Sequence, residues 1–299
     1  MLGYDKPLFI LPLDHRSTFI KKLLGLKAPL TREQTRKVIF LKGMIFQAFK
    51  RVRAKDARPD QLGILIDEQF GKNIIREAKT KKIIFANSVE RSGQKVFTFE
   101  YGSDFGKHLK KNRPTMAKVL VRYNPKNKKQ NKIQLARLKK LNNFCKKNNI
   151  KFLFELLLMP TDQEAKKNKK DFDTKIRPRL VPQAIAQIQA AGIEPDIWKL
   201  EAVGKPIFWK KIISQARKGA QRKNVGIIVL GRGGSKTQVN AWLALAARFP
   251  QIIGFAVGRT VFFKSLQGYL NKKISQTQAI NQIAENYGQL IKNWRKKTS

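Results

Sequence analysis

The chain predicts an α/β fold organised as a single (β/α)8 TIM barrel, and three observations carry that expectation. Short apolar runs alternate with longer amphipathic ones, the pattern of a parallel sheet joined by crossover helices. Eight such units follow one another. Polar residues gather where the apolar runs end, which is the face on which barrels build their sites. An open doubly wound sheet is the alternative, and no Gly-x-Gly-x-x-Gly follows the first run to support it. Barrels commonly reach 299 residues as one unit, and neither a linker nor an internal repeat divides the chain, so one domain over residues 1–299 is expected.

The first strand is expected at Leu8–Leu13 and ends at Asp14, His15 and Arg16; the helix Thr31–Arg53 follows, opened by a capping box between Thr31 and Gln34. The second strand, Leu62–Asp67, runs into Glu68 and Gln69 and precedes the helix Lys72–Lys79. The third, Ile83–Ser88, leads to a long loop or small hairpin at Glu90–Tyr101 and the helix Ser103–Lys111. The fourth, Lys118–Arg122, ends at Tyr123 and Asn124 before the helix Asn131–Lys147. The fifth, Phe152–Leu157, carries Glu155 and is followed by a polar, lysine-rich excursion, Met159–Ile176, and the helix Val181–Ala191, stopped by Gly192. The sixth, Asp196–Leu200, precedes the helix Pro206–Lys218. The seventh, Val225–Leu230, enters Gly231-Arg232-Gly233-Gly234 and the helix Thr237–Arg248. The eighth, Ile252–Val257, enters Gly258-Arg259 and the helices Thr260–Tyr269 and Gln276–Trp294.

The 63 Lys and Arg against 20 Asp and Glu give a formal charge of +43, which predicts attraction to polyanions: phosphate metabolites, acidic proteins, nucleic acid or an anionic membrane surface. From Lys126 to Lys151 inclusive there are ten basic residues and no acid, interleaved with Ile133, Leu135, Leu138, Leu141 and Phe144 at helical spacing. That run reads either as a solvated amphipathic helix or as a non-specific nucleic-acid surface; no zinc-finger spacing or aromatic ribonucleoprotein motif accompanies it. Cys145 is the sole cysteine, so no internal disulfide or cysteine metal cluster can form, which fits a reducing compartment and a cytoplasmic protein. The apolar segment near the N-terminus is too short for a signal core or a membrane span. Nothing in the sequence sets an oligomeric state.

Strand alternation singles out Lys199. Ile197, Lys199 and Glu201 share one face of the sixth strand, and Trp198 and Leu200 the other, so a barrel register points the amine inward. An amine held there can condense with a ketone to a Schiff base. An ordinary lysine, with a pKa of about 10.4, is protonated near neutrality; apolar walls such as Trp198 and a second cation such as Lys118 are expected to favour the free base. The acids are scarce, and seven of them, Asp14, Asp67, Glu68, Glu90, Glu100, Glu155 and Glu201, stand where apolar runs end, as acids with fixed tasks would. After the seventh and eighth strands, Gly231, Gly233 and Gly258 free backbone N–H groups while Arg232 and Arg259 supply charge, which predicts a phosphate clamp with Ser235 and Thr260 as further donors. Arg16 and Arg122, on the same face, are further candidate substrate- or phosphate-binding cations. His15 is read as a neighbour of the site.

The segments Leu8–Arg16, Gly63–Gly71, Lys118–Pro125, Phe152–Leu157, Asp196–Glu201, Val229–Gly233 and Gly254–Arg259 resemble the uncharacterised domain often fused behind the 2-deoxy-5-ketogluconate kinase of myo-inositol catabolism, over nearly the whole chain. That domain is similar, more distantly, to class I tagatose-bisphosphate aldolases, barrels with a Schiff-base lysine on strand six. The resemblance implies Lys199 as imine former, Glu155 as proton shuttle, Lys118 as auxiliary amine, Asp14 as ligand of a substrate hydroxyl and Arg259 as phosphate ligand. It departs at Gly231-Arg232, where that aldolase family has a serine-containing turn, and at His15, which replaces a glutamine. The function implied is cleavage of a phosphorylated keto sugar or keto sugar acid without metal or cofactor, with 2-deoxy-5-ketogluconate 6-phosphate as one candidate. The alternative is a catalytically silent barrel that binds polyanions, whose affinity for nucleic acid would fall steeply with salt. A sugar kinase is disfavoured, since neither a Walker loop nor a Gly-Ala-Gly-Asp motif is present.

Overall fold

The computed structural model describes residues 1–166 and 169–298. Eight parallel strands close in sequence order, each paired with the next and the last with the first. They are β1 (Leu8–Pro12), β2 (Leu62–Ile66), β3 (Ile84–Ser88), β4 (Met116–Tyr123), β5 (Lys151–Leu158), β6 (Ile197–Glu201), β7 (Gly226–Leu230) and β8 (Ile252–Ala256). The expected strands are all present, with ends displaced by one or two residues. β4 and β5 are longer than the apolar runs indicate because their polar ends, Lys151 and Tyr123 among them, still pair in register.

The strands read as continuous apolar runs because both faces are covered. Leu8, Ile10, Leu65, Met116, Leu153 and Ile228 belong to a small core inside the barrel. The alternate residues, such as Phe9, Ile64, Phe154 and Trp198, pack beneath the helices in the larger core. At the C-terminal ends of the strands the inward series turns polar: Met116, Lys118, Leu120, Arg122 on β4; Leu153, Glu155, Leu157 on β5; Ile197, Lys199, Glu201 on β6. A site therefore sits directly on an apolar plug, held by rigid strands.

Gly254 makes closure possible. Its φ is +155°, and a Cβ there would lie 1.9 Å from the carbonyl oxygen of Leu8, so β8 can approach β1 only without a side chain. The helix Arg32–Lys55 opens at Thr31 with the expected capping box, in which Gln34 and Thr31 exchange side-chain bonds of 3.0 and 3.2 Å. Gly192, at φ +68°, follows the helix Arg177–Ala190 as the expected stop. The C-terminal helix Gln276–Thr298 packs on Arg32–Lys55 and against β1: Tyr287 donates to the Phe9 carbonyl at 2.7 Å, and Trp294 meets Phe9 edge-on.

Two segments differ from the sequence reading. The stretch after β1 holds a helix, Ser17–Leu24, whose Phe19, Ile20 and Leu23 are buried. The excursion Met159–Ile176 contains a short helix, Asp162–Ala165, and a π-helical turn, Phe172–Ile176; its residues 167 and 168 lie outside the described residues. The loop Glu90–Tyr101 is pinned by a bridge between Glu90 and Phe99, close to the expected hairpin. In the basic helix Lys128–Lys147, Ile133 is 43% exposed and the buried face is partly polar, with Asn131, Gln134 and Asn142 beside Leu138 and Leu141. Among the described residues no helix is long and apolar enough to cross a membrane.

Candidate active site

Lys199 stands between two recesses at the C-terminal mouth of the barrel. The larger, about 330 Å³, opens toward β7 and β8 and is lined by Arg232, Gly233, Gly258, Arg259 and Thr260. The smaller, about 120 Å³, lies toward β1 and β3, beside Asp14, Glu90, Lys118 and the loop residues Arg91 to Gln94. Lys199, Glu155, Arg122 and His15 border both. The inward alternation of β6 thus delivers the amine to a void, buried to 4% exposure yet facing space on either side.

Register sets the central contact. Glu155 and Lys199 are direct partners across β5 and β6, and Lys199 Nζ lies 2.9 Å from Glu155 Oε2. Lys118 Nζ lies 2.9 Å from the same oxygen, 2.8 Å from Asp14 Oδ2 and 2.8 Å from Glu90 Oε1. Burial works against the charges of Lys118, Asp14, Glu155 and Glu90, and the pairing outweighs it for the first three. Burial lowers the Lys118 pKa, but the three carboxyl groups win and hold it well above the ordinary lysine value. Burial raises Asp14 and Glu155, yet Lys118 and Lys199 pull both below the usual carboxylate range. Glu90 goes the other way, pushed up by burial against the pull of Lys118 and Arg16.

The structure brings Asp14, Lys118, Glu155 and Lys199 into one ion cluster. Two expected influences on the amine take a different form. Trp198 faces the helix layer, packed on Phe154, and forms no wall of either recess; the positive charge of Lys118 is met by three carboxyl groups.

The arginines divide. Arg259 makes no ion pair among the described residues; its half-buried guanidinium fills the space left by Gly233, where a Cβ would come within 2.7 Å of it. Burial pushes its pKa down, and it stays charged as arginines do. At the start of the helix Arg259–Leu270 the N–H groups of Val261 and Phe262 bond to the Gly258 carbonyl at 2.8 and 3.2 Å, those of Arg259 and Thr260 precede the helical ladder, and Gly258, Arg259 and Thr260 border the larger recess. Arg232 also faces the recess but is paired with Glu201 at 2.7 Å and Asp173 at 2.9 Å. Gly231 accepts from the Gly234 N–H at 2.9 Å and shapes the turn. The Thr260 hydroxyl donates to the Gly234 carbonyl at 3.0 Å, so it ties the two turns together, while Ser235 caps its own helix. Arg122 donates to the Gln94 carbonyl at 2.8 Å and borders both recesses. Arg16 is committed to Glu100 at 2.6 Å and to the Glu90 carbonyl, holding the loop after β3 against β1.

Two residues outside the expected site belong to it. Glu90 follows β3 in the inward phase of Ile84, Ala86 and Ser88, a signal legible in the alternation. His15 borders both recesses, edge-on to Phe262 at 5.7 Å, with Nδ1 buried and unpartnered. Burial pushes its pKa down to about 4, with Lys199 and Arg259 adding to the effect and Asp14 opposing it. Between about pH 6.5 and 4 the unfolded chain therefore takes up a proton at His15 that the folded chain refuses, so stability falls as pH drops through that window. Denaturant midpoints at pH 7 and pH 4.5 should show a smaller acid loss in His15→Gln than in the wild type. Asp67 and Glu68, by contrast, are structural: Asp67 caps its helix and pairs with Lys42, and Glu68 meets His108 at 2.8 Å.

The closed eight-stranded parallel barrel, with a buried amine on β6 beside a carboxyl group on β5, is a single (β/α)8 fold. The chain is similar in fold to fructose-bisphosphate aldolase from Plasmodium falciparum, solved with TRAP and a small-molecule inhibitor: TM-score 0.65 and 14% identity, over 100% of this chain and 92% of that one. It is similar too to a structural-genomics protein of Corynebacterium glutamicum, with TM-score 0.56 and 18% identity over 95% and 86% of the two chains. No curated protein matches at the sequence level. The chain belongs to the family described as an uncharacterized protein conserved in bacteria, DUF2090, whose profile matches residues 4–298.

Proposed function

We propose that residues 1–299 form one catalytic unit, a cytoplasmic class I aldolase that cleaves or forms a carbon–carbon bond in a phosphorylated keto sugar or keto sugar acid. One observation carries this reading: the Lys199 amine, 2.9 Å from Glu155, borders a cavity also lined by Arg259, which makes no ion pair among the described residues, and by the start of the helix Arg259–Leu270. Glu155 takes the ammonium proton as Lys199 attacks the ketone carbon. The same carboxyl group returns it to the carbinolamine hydroxyl, which leaves as water and gives the iminium. Cleavage sends the carbon–carbon electron pair into the iminium and makes an enamine; protonation at carbon and hydrolysis then release the ketone half and the amine. The phosphate sits in the larger recess on Arg259 and the Gly258–Thr260 turn, with the other half of the substrate toward Asp14 and Lys118. The +43 charge draws such anions toward the barrel.

The resemblance to the kinase-fused domain of inositol catabolism favours 2-deoxy-5-ketogluconate 6-phosphate as the substrate, with dihydroxyacetone phosphate and malonate semialdehyde as products. Its consumption by the purified chain should be lost irreversibly after borohydride is added in the presence of dihydroxyacetone phosphate and kept after borohydride alone. Equal survival of activity in both samples would refute an imine pathway.

A further inference from the structure

Of the three carboxyl groups in the cluster the imine steps use Glu155, and Asp14 and Glu90 remain. Glu90 Oε1 accepts from Lys118 at 2.8 Å, while Oε2 is buried and has no hydrogen-bond partner among the described residues. The side chain borders the smaller recess with Asp14, Lys118 and the loop residues Arg91 to Gln94. A buried carboxylate oxygen with nothing to accept from is unfavourable, whereas a protonated Oε2 carries a donor ready for a guest. Three carboxyl groups converge on the Lys118 ammonium, and burial together with the nearby Asp14 charge shifts Glu90 toward its protonated form. Asp14 and Glu155 are the two held ionised; the charged groups facing Glu90 are Lys118 from β4, and Asp14 and Arg16 from the end of β1.

We propose that Glu90 exchanges the proton of the substrate oxygen in the smaller recess, the carbonyl oxygen of the aldehyde half, and leaves Glu155 to serve the nitrogen of Lys199. This rests on the Schiff-base reading and assigns one step within it. In the bond-forming direction the enamine carbon attacks the aldehyde carbon and the nitrogen becomes an iminium. The carbonyl π pair moves to oxygen, which takes the proton from Glu90 Oε2, and the new carboxylate is met by the Lys118 ammonium. In cleavage the carboxylate of Glu90 removes the hydroxyl proton, the carbonyl re-forms, and the carbon–carbon pair returns to the iminium as an enamine. No oxidant or further reactant enters.

The steps separate experimentally with dihydroxyacetone phosphate as the probe. Borohydride trapping and loss of its carbon-bound proton in heavy water need the imine and the enamine but not an aldehyde. Joining it to malonate semialdehyde, glycolaldehyde or glyceraldehyde 3-phosphate needs the aldehyde proton as well. Glu90→Gln should trap and exchange within about threefold of the wild type while its rate of joining falls by about 10² to 10⁴, the range for loss of a general acid. Glu90→Asp should recover part of that rate, and both variants should match the wild type in thermal unfolding to within a few degrees. Trapping and exchange falling in step with joining would make Glu90 a support for Lys118 and overturn the proposal; so would a joining rate that Glu90→Gln leaves intact. A wild type that exchanges but joins none of the three aldehydes would count against it too. A wild type that neither traps nor exchanges would instead overturn the Schiff-base reading itself.

Discussion

Lys199→Met should lower turnover by about 10⁵-fold or more, because the nucleophile is lost and no second amine can take its place. Lys118 is the nearest candidate, but its ammonium is enclosed by Asp14, Glu90 and Glu155 and is held firmly protonated. The substitution should leave the fold intact. Methionine matches the buried stem of the lysine, and Glu155 keeps Lys118 at 2.9 Å. Lys199→Arg supplies the sharper control: it restores a cation beside Glu155 without a nucleophilic amine, so it too should be inactive. Steady-state kinetics on a ketose phosphate, with circular dichroism as the check on folding, measures both. Activity within tenfold of the wild type in Lys199→Arg would mean that Lys199 serves only as a charge.

Lys118→Met should have the largest effect on stability. Lys118 is 1% exposed and contacts three carboxyl groups, and removal of one partner from a buried ion cluster typically destabilises by about 3–5 kcal/mol. The pH dependence should identify the cause. In the wild type, Asp14 and Glu155 have lowered folded-state values, so their contribution is present above the ordinary carboxylate range and is lost as pH falls. The contribution of Lys118, whose value is raised, is present below the ordinary lysine range and is lost only when pH climbs through its folded-state value. Without Lys118 the buried carboxyl groups are desolvated and poorly compensated, so their values rise and the folded variant binds extra protons. Urea denaturation between pH 7.5 and 5 should then show the gap between wild type and Lys118→Met narrowing on acidification. A gap that is constant with pH would point to lost packing instead.

Much of the site was legible because a barrel strand translates sequence period into direction. Ile197, Lys199, Glu201 and Met116, Lys118, Leu120, Arg122 alternate with residues that pack under the helices, so the same rule that found the strands also aimed the site. Glu90 obeys that rule from Ile84 onward and stands among the acids at the ends of apolar runs, but it lies two residues past its strand, so its meeting with Lys118 emerges only when the barrel closes. Charge pairing was not legible. Arg16 is satisfied by Glu100 and Arg232 by Asp173, partners 84 and 59 residues away, and no local pattern encodes such meetings. Arg259 makes no ion pair among the described residues and lies over Gly233, a meeting that could be seen only once the turns after β7 and β8 were side by side. The helix Ser17–Leu24 escaped because Phe19, Ile20 and Leu23 make a single short apolar stripe among lysines, too little to separate from a loop.

The most direct measurement is peptide mapping of the borohydride-treated chain after incubation with dihydroxyacetone phosphate. The surface carries many lysines that can react adventitiously, so position is the informative quantity. A stable mass gain of one reduced triose phosphate on the peptide bearing Lys199, absent when borohydride is omitted and absent in Lys199→Arg, is the expected outcome. Modification confined to exposed lysines, with Lys199 recovered unmodified, would contradict the assignment of that amine as the covalent catalyst.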